Sequence, residues 1–234
     1  LKSIIFINYL FKSIESLNYL ETRGRDSASI SINIKSKTKI KLNQIFKINN
    51  SNFLFDQKKI NKNDYLINIT LKYANQVGYS GENLLNLKNT LINSKILNKI
   101  NFEKITGFFI IGHTRWASTG SVNLSNCHPL INVNKKENSY FYMNGDINNY
   151  LELKKNKNSI LKDRDCDNDL SCLPNLFLNK NKISNKLLRG SYVLFYHSSN
   201  EPNYIHVFKK GSQGLYISYN NDGNLIISSD VYGV

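Results

Sequence analysis

An arginine, two hydroxyl-bearing residues and a glycine stand close together near the middle of the chain, at Arg115, Ser118, Thr119 and Gly120. They follow a short apolar run over residues 107–112, which predicts a β-strand. An arginine at the end of a strand can hold a carboxylate through two parallel hydrogen bonds, and a glycine lets the next loop bend. The pattern therefore predicts a loop that binds a small carboxylate, with an ordinary surface loop as an equally good interpretation.

Asn144 and Gly145 form a second chemically useful pair, at the end of a predicted strand over residues 139–143. A side-chain amide and a neighbouring glycine N–H can point two donors at one place, as an oxyanion hole requires. The same dipeptide is also common in hairpin turns. Residues 146–155 predict a helix capped by Asp146 rather than a returning strand, which weakens the hairpin interpretation.

Asp167 is a third candidate, at the start of a predicted helix over residues 167–178. A carboxylate in this position can hold an ammonium group, but an ordinary helix cap is by itself the better interpretation. Taken together, an arginine, a carboxylate and two convergent donors describe a site for an amino acid whose acyl group is attacked.

The first half of the chain predicts the elements that would position the arginine loop. An apolar face at helical spacing, formed by Leu10, Ile14, Leu17 and Leu20, predicts a helix over residues 9–21. The sequence further predicts a half-buried strand over residues 27–34, a strand over 39–46, a loop over 49–63, and helices over 64–77 and 82–97.

The end of the chain is rich in β-forming residues separated by turn residues. Four runs predict an antiparallel meander, over residues 191–197, 204–209, 215–219 and 225–229. The run Asn-Asn-Asp-Gly at residues 220–223 predicts a hairpin between the last two strands. Helices and antiparallel strands in this order predict a layered α+β architecture.

The chain is basic, with a formal net charge of +14 from 31 Lys and Arg against 17 Asp and Glu. Nucleic-acid readers depend on arginine, and arginine occurs here only at Arg23, Arg25, Arg115, Arg164 and Arg189. A coding bias toward Lys, Asn and Ile explains the charge better than a nucleic-acid partner does. No apolar run is long enough to span a membrane, so we expect no membrane partner either.

The cysteines are Cys127, Cys166 and Cys172. Their odd count and their spacing fit neither a disulfide framework nor a zinc site. We interpret them as core or bystander residues in a reduced, cytoplasmic compartment. We expect no metal and no cofactor.

Several segments resemble the glutamine amidotransferase domains of glutamine–fructose-6-phosphate aminotransferases. The segments follow the family's order across almost the whole chain: RGRDSA at 23–28 is similar to RGYDSAG, GHTRWA at 112–117 to GHTRWAT, NCHP at 126–129 to NAHPH, NG with NY at 144–150 to HNGIIENY, CDND at 166–169 to TDTE, and residues 211–216 and 229–230 to GSPLVIG and ASD. The DSA version favours this branch over amidophosphoribosyltransferases, whose motif reads ESAG.

The resemblance implies an N-terminal nucleophile hydrolase fold, a four-layer αββα sandwich with antiparallel sheets over residues 1–234. It implies an N-terminal Cys that supplies its thiol as nucleophile and its free α-amine as general base. By the matching motifs, Arg115 would bind the α-carboxylate of L-glutamine and Asp167 the α-ammonium, and Asn144 with Gly145 would form the oxyanion hole. It further assigns Trp116, Ser118 and Thr119 to the loop that closes over glutamine, and Arg23 and Gly24 to the neighbourhood of the nucleophile.

The sequence departs from the family's pattern at several points. The N-terminal Cys is absent, and the chain begins with Leu1, so we expect that Cys upstream, directly after the initiator Met, with residues 1–8 as the end of its strand and the following loop. Thr119 stands where the family has His, Ser29 where it has Gly, and Asp146 where it has an apolar residue. Residues 35 to about 75 are expected to form a surface insertion relative to the family.

The resemblance implies that the protein takes ammonia from L-glutamine to make glucosamine 6-phosphate from fructose 6-phosphate. Sugar-phosphate isomerase domains further along the chain would bind that acceptor and form a homodimer. One alternative is a catalytically inactive domain of the same fold that binds glutamine for regulation. Another is the amidotransferase domain of a different class, such as amidophosphoribosyltransferase.

Overall fold

A helix of 19 residues, α1, opens the described part of the chain and spans Lys2–Leu20. Its buried residues, Phe6, Leu10, Ile14 and Leu17, recur at helical spacing and pack into the first of two apolar cores. The sequence predicted a helix only from residue 9, and the strand end and loop expected over residues 1–8 are wrong. Phe6 continues the apolar face into that segment. Its ring packs edge-on against the ring of Phe108, with the ring centroids 4.9 Å apart.

The computed structural model describes residues 2–41, 52–74, 80–133, 137–155, 166–178 and 187–233. The chain divides into two units, Leu1–Trp116 with Val122–Cys127, and Ala117–Ser121 with His128–Val234. Each unit has its own antiparallel sheet and its own apolar core. No helix in the described ranges is long and apolar enough to cross a membrane.

The sheet of the first unit contains four antiparallel strands in the order β2-β3-β1-β4. The strands are β1 Ser27–Ser36, β2 Phe53–Lys59, β3 Tyr65–Tyr73 and β4 Ile105–Arg115. Helix α2, Glu82–Asn93, packs against β1 and β3. It confirms the helix predicted from residue 82, although a separate 3-10 turn, Ile96–Lys99, replaces its predicted end.

Strand β1 is buried on both faces, so the prediction of a half-buried strand was wrong. Its isoleucines face the core, and its polar residues face partners on β3. The hydroxyls of Ser31 and Thr70 lie 2.6 Å apart, and Asn68 Nδ2 donates to Asn33 Oδ1 over 2.7 Å. These bonds satisfy the polar groups that burial would otherwise leave without water.

Strands β2 and β3 replace the predicted loop over residues 49–63 and the predicted helix over 64–77. In β3 the apolar and polar residues are buried alike, and the strand lies between β1 and β2 in the sheet. The expected surface segment over residues 35–75 therefore includes an interior strand. Residues 39–41 form no strand, and 42–46 lie outside the described residues.

The sheet of the second unit has the order β5-β6-β7-β8, with all neighbours antiparallel. The strands are β5 Leu130–Val133, β6 Asn138–Ile147, β7 Gly190–Ser198 and β8 His206–Lys210. Strands β9 Tyr216–Tyr219 and β10 Leu225–Ser228 form a separate hairpin across the predicted turn at 220–223. The predicted antiparallel C-terminal strands are therefore present, divided between two sheets.

Two short helices accompany this second sheet, α3 Tyr150–Lys155 and α4 Leu173–Leu178. Helix α4 follows a 3-10 turn, Asp169–Cys172, so the helix predicted over residues 167–178 is broken into two pieces. Helix α3 begins later than the predicted residue 146, because β6 continues to Ile147. Leu170 and Leu173 pack in the second core together with residues of β6 and β7.

Candidate functional site

In the first unit, the backbone at Gly24 lies very close to the backbone at the end of β4. A Cβ added to Gly24 would lie 2.6 Å from the carbonyl carbon of Arg115 and 2.7 Å from the backbone nitrogen of Trp116. Those are backbone atoms of a paired strand, so a larger residue would force the two segments apart. Asp26 N also donates to Arg115 O over 3.0 Å. The structure thus brings together Arg23–Gly24 and Arg115–Trp116, two segments that the sequence singled out separately.

Arg115 and Trp116 differ sharply in exposure. Arg115 is the last residue of β4, pairs with Ser27, and has only 6% of its surface exposed. Trp116 follows it directly and is 65% exposed. A guanidinium with little water around it attracts a carboxylate more strongly than one in bulk solvent does, because screening is weaker there.

In the second unit, Asn144 and Gly145 lie within β6 instead of at its end, so the predicted strand boundary was wrong. Asn144 Nδ2 donates to Gln213 Oε1 over 3.3 Å, which fixes the side-chain amide. Gly145 has a φ of +104°, and a Cβ there would lie 2.1 Å from Ser191 O. Glycine is therefore required at this position by both backbone conformation and space.

Asp146 was predicted to cap a helix, and the structure corrects that prediction. The residue belongs to β6, where it pairs with Ser191 of β7. Its Oδ1 accepts a hydrogen bond of 2.6 Å from Ser118 Oγ. Ser118 and Thr119 belong to a loop, Ala117–Ser121, that turns at Gly120 with a φ of +78°.

Asp167 is exposed and lies just before the 3-10 turn, which begins at Asp169 with Asn168 as its N-cap residue. Asp167 is therefore not the first residue of a helix as predicted. Ser121 donates to its carboxylate from the backbone nitrogen at 3.2 Å and from Oγ at 3.3 Å. Asp169 is buried, and its Oδ2 accepts from Ile147 N over 2.7 Å. Asp169 thus supports the backbone, while Asp167 presents its carboxylate to solvent.

Two contacts in this part of the site were not anticipated. Gln213 holds the amide of Asn144, and Ser121 donates to Asp167. Gln213 lies within the segment 211–216 that resembles the family's closing motif, so that resemblance pointed to it without giving it a role. Nothing in the sequence pattern singled out Ser121.

All three cysteines are buried and free of disulfides, which confirms their interpretation as core residues. Burial raises the pKa of the Cys127 thiol, against the opposing effect of Lys72. Burial and the nearby Asp169 carboxylate raise the pKa of Cys172 to about 12. A thiol reacts as its thiolate, so neither of these two is suited to nucleophilic attack at neutral pH. Within the described ranges, no group of three or more His, Cys, Asp or Glu could hold a metal ion.

Comparison of sequences relates the chain to enzymes named glutamine–fructose-6-phosphate aminotransferase (isomerizing). The chain is 32% identical over 154 residues to that of Clostridium acetobutylicum, which covers 62% of this chain and 24% of the relative. It is 31% identical over 150 residues to that of Pyrococcus horikoshii, covering 58% and 24%. The chain thus spans about a quarter of the length of these relatives. No model of a known protein family matches the chain.

Two solved structures share the fold of this chain. The allosteric regulatory enzyme of purine biosynthesis superposes with a TM-score of 0.58 at 18% identity, covering 93% of this chain and 38% of that one. Glutamine phosphoribosylpyrophosphate amidotransferase from B. subtilis gives 0.55 at 17% identity, covering 94% and 39%. This likeness, together with the antiparallel sheets and helices of the two units, confirms the predicted α+β fold.

Proposed function

We propose that this chain is the glutamine-hydrolysing domain of a glutamine–fructose-6-phosphate aminotransferase. The observation that carries the proposal is the meeting of separate motifs in the second unit. The loop Ala117–Ser121 contacts Asp146, next to the Asn144–Gly145 pair, and also contacts Asp167. These segments lie far apart in sequence, and a site for an amino acid substrate needs all of them.

Each proposed role follows from the chemistry of the group. The Arg115 guanidinium takes the α-carboxylate of L-glutamine in a two-pronged ion pair, and Asp167 takes the α-ammonium. Asn144 and Gly145 stabilise the oxyanion that forms when the amide carbon is attacked. Trp116, Ser118 and Thr119 belong to the segment that covers the substrate.

The nucleophile in this proposal is the N-terminal Cys implied by the resemblance, which is not among the 234 residues. The α-amine would take the proton of the thiol as the sulfur adds to the amide carbon, and would give that proton to the nitrogen that leaves as ammonia. Water would then release glutamate from the thioester and restore the thiol. Cys127, Cys166 and Cys172 are internal and buried, and none of them carries a free α-amine.

The acceptor is proposed from the names of the relatives. Sugar-phosphate isomerase domains in the same chain would bind fructose 6-phosphate, receive the ammonia and form glucosamine 6-phosphate. A homodimer formed by those domains and a cytoplasmic location complete the proposal. None of the three cysteines forms a disulfide, which supports a reducing compartment.

Calorimetric titration tests the ligand directly. We expect the chain to bind L-glutamine with one-site saturation and to give no heat of binding with D-glutamine, whose α-ammonium and side chain would exchange places. Failure to bind L-glutamine in the full-length protein would refute the proposal. A non-catalytic glutamine-binding domain would also bind L-glutamine, and hydrolysis of the bound ligand distinguishes the two functions.

A further inference from the structure

The loop Ala117–Ser121 is attached to two carboxylates by two different serines. Ser118 near its start donates to Asp146 over 2.6 Å, and Ser121 at its end donates to Asp167 at 3.2 to 3.4 Å. The first bond is short, as expected for a hydroxyl that donates to a carboxylate. The contacts of Ser121 are longer and divided between two oxygens.

The two carboxylates differ in how firmly they are held. Asp146 is part of β6, and a Cβ added to Gly190 of β7 would lie 2.1 Å from Asp146 O. This close approach, together with strand pairing on the same residue, fixes the backbone of Asp146. Asp167 lies outside any regular element and is exposed.

The two carboxylates also differ in whether they would bind glutamine. Under the proposed function, Asp167 receives the α-ammonium of the substrate, so an incoming ligand competes with Ser121 or shares the carboxylate with it. No role in the reaction is assigned to Asp146. The bond from Ser118 to Asp146 can therefore persist while the bond from Ser121 to Asp167 is exchanged.

We propose that Asp146 is a positioning residue of the glutamine site, which holds the Ala117–Ser121 loop through Ser118 in the free and in the liganded protein. The loop then stays ordered when the ligand replaces Ser121 as the hydrogen-bond donor to Asp167. A loop that is ordered before binding loses less conformational entropy on binding, which raises affinity. The identity of the ligand rests on the proposed function, whereas the ordering of the loop does not.

The only tryptophan of the chain, Trp116, directly precedes the loop and is exposed, so its fluorescence reports on loop order without any ligand. We expect Ser118→Ala and Asp146→Ala each to lower the fluorescence anisotropy of Trp116 and to increase its quenching by acrylamide. The double variant should behave like either single variant, because both remove the same bond. Asp146→Asn keeps an acceptor oxygen and should restore most of the wild-type signal.

The matched control is Asp222→Ala, in the exposed turn between β9 and β10, which removes one negative charge and leaves the loop contacts intact. It should match the wild type in fluorescence and in affinity. Ser118→Ala and Asp146→Ala should each raise the Kd for L-glutamine by about 3- to 10-fold, because the bond is charge-assisted but exposed. Thermal unfolding should be unchanged in all of these variants.

The outcomes separate the two levels of the proposal. Unchanged Trp116 fluorescence in both single variants would show that the bond does not order the loop and would overturn the inference. Changed fluorescence with an unchanged Kd would overturn the positioning role of Asp146. Changed fluorescence in a protein whose wild type does not bind L-glutamine would refute the proposed function and leave the ordering of the loop by Asp146 standing.

Discussion

At the scale of single residues, substitution of Arg115 tests the recognition of the ligand most directly. Lysine keeps the charge but has no planar fork, so Arg115→Lys should lose one of two bonds to the α-carboxylate. We expect a loss of ~1.5–3 kcal/mol, or roughly 10- to 150-fold in affinity for L-glutamine. The variant is measured by titration and, in the full-length enzyme, by glutamine-dependent synthesis.

Arg189→Lys is the matched control, because Arg189 is exposed and pairs with the exposed Glu152 at 3.8 Å. It should leave glutamine affinity unchanged, as surface ion pairs contribute little. Ammonia added directly bypasses the glutamine site, so ammonia-dependent synthesis should survive Arg115→Lys. Equal losses in the ammonia-dependent and glutamine-dependent rates would mean that Arg115 stabilises the fold and does not bind the ligand.

Asn144→Ala and Asp167→Asn should fail in different ways. In its proposed role Asn144, held by Gln213, would act on charge that develops only in the transition state, so its loss should lower kcat of glutamine hydrolysis by about 10²–10³-fold with little change in KM. In its proposed role Asp167 would hold the α-ammonium in ground and transition states alike, so its loss should mainly raise KM. Steady-state glutaminase kinetics of both variants separate the roles, and identical defects would contradict the assignment.

At the scale of elements, the pairing of β6 with β7 makes the second unit sensitive to acid. His197 on β7 is buried and stacks on Tyr140 of β6 with ring centroids 4.5 Å apart. Burial lowers the pKa of His197 to about 3, from 6.5 in the unfolded chain. The unfolded state therefore binds the proton more tightly, and the free energy of unfolding decreases as the pH falls below about 6.5.

This shift predicts a loss of about 2 kcal/mol in the free energy of unfolding between pH 7 and pH 5. His197→Phe keeps a stacking ring without the titration, so most of that loss should disappear in urea unfolding at the two pH values. His206→Phe on β8 is the matched control and should retain the loss, because His206 is only partly buried. An equal pH dependence in wild type and His197→Phe would rule out His197 as the source.

The elements that the sequence predicted well have one buried face. Helix α1 could be found because Leu10, Ile14 and Leu17 alone are enough to show helical spacing. Strand β3 was missed because burial on both faces removes the alternation that marks a strand, as Ile67 and Asn68 illustrate. Asn144 and Gly145 were predicted at the end of a strand, whereas the positive φ of Gly145 lies inside a strand where the backbone of β7 comes close.

The sequence named candidate residues for the site but not the hydrogen bonds between them. Motifs gave Arg115, Asn144, Gly145 and Asp167, because each combines a functional group with a turn or a strand end. The bond from Ser121 to Asp167 and the bond from Asn144 to Gln213 join residues 46 and 69 positions apart. Hydroxyl and amide side chains are too common for such pairs to be visible without the fold.

At the scale of the whole molecule, the matched part of the chain corresponds to 24% of the length of its sequence relatives. The fold is shared with two solved structures at 17–18% identity, one of which is named glutamine phosphoribosylpyrophosphate amidotransferase. Glutamine appears in the names of the sequence relatives and of that amidotransferase, while fructose 6-phosphate appears in the names of the sequence relatives alone. The release of ammonia is therefore the central claim, and the acceptor is secondary to it.

The measurement that tests this claim most directly follows L-glutamine labelled with ¹⁵N at the amide in the presence of the full-length protein. NMR should show labelled ammonia and glutamate formed in equal amounts. Gly145→Ala should abolish this reaction, while the control Gly107→Ala, at a position where a Cβ meets nothing within 4 Å, should retain the wild-type rate. Hydrolysis at the wild-type rate in Gly145→Ala would contradict the assigned oxyanion site. Binding of L-glutamine without any release of labelled ammonia by the wild type would contradict the enzymatic function itself.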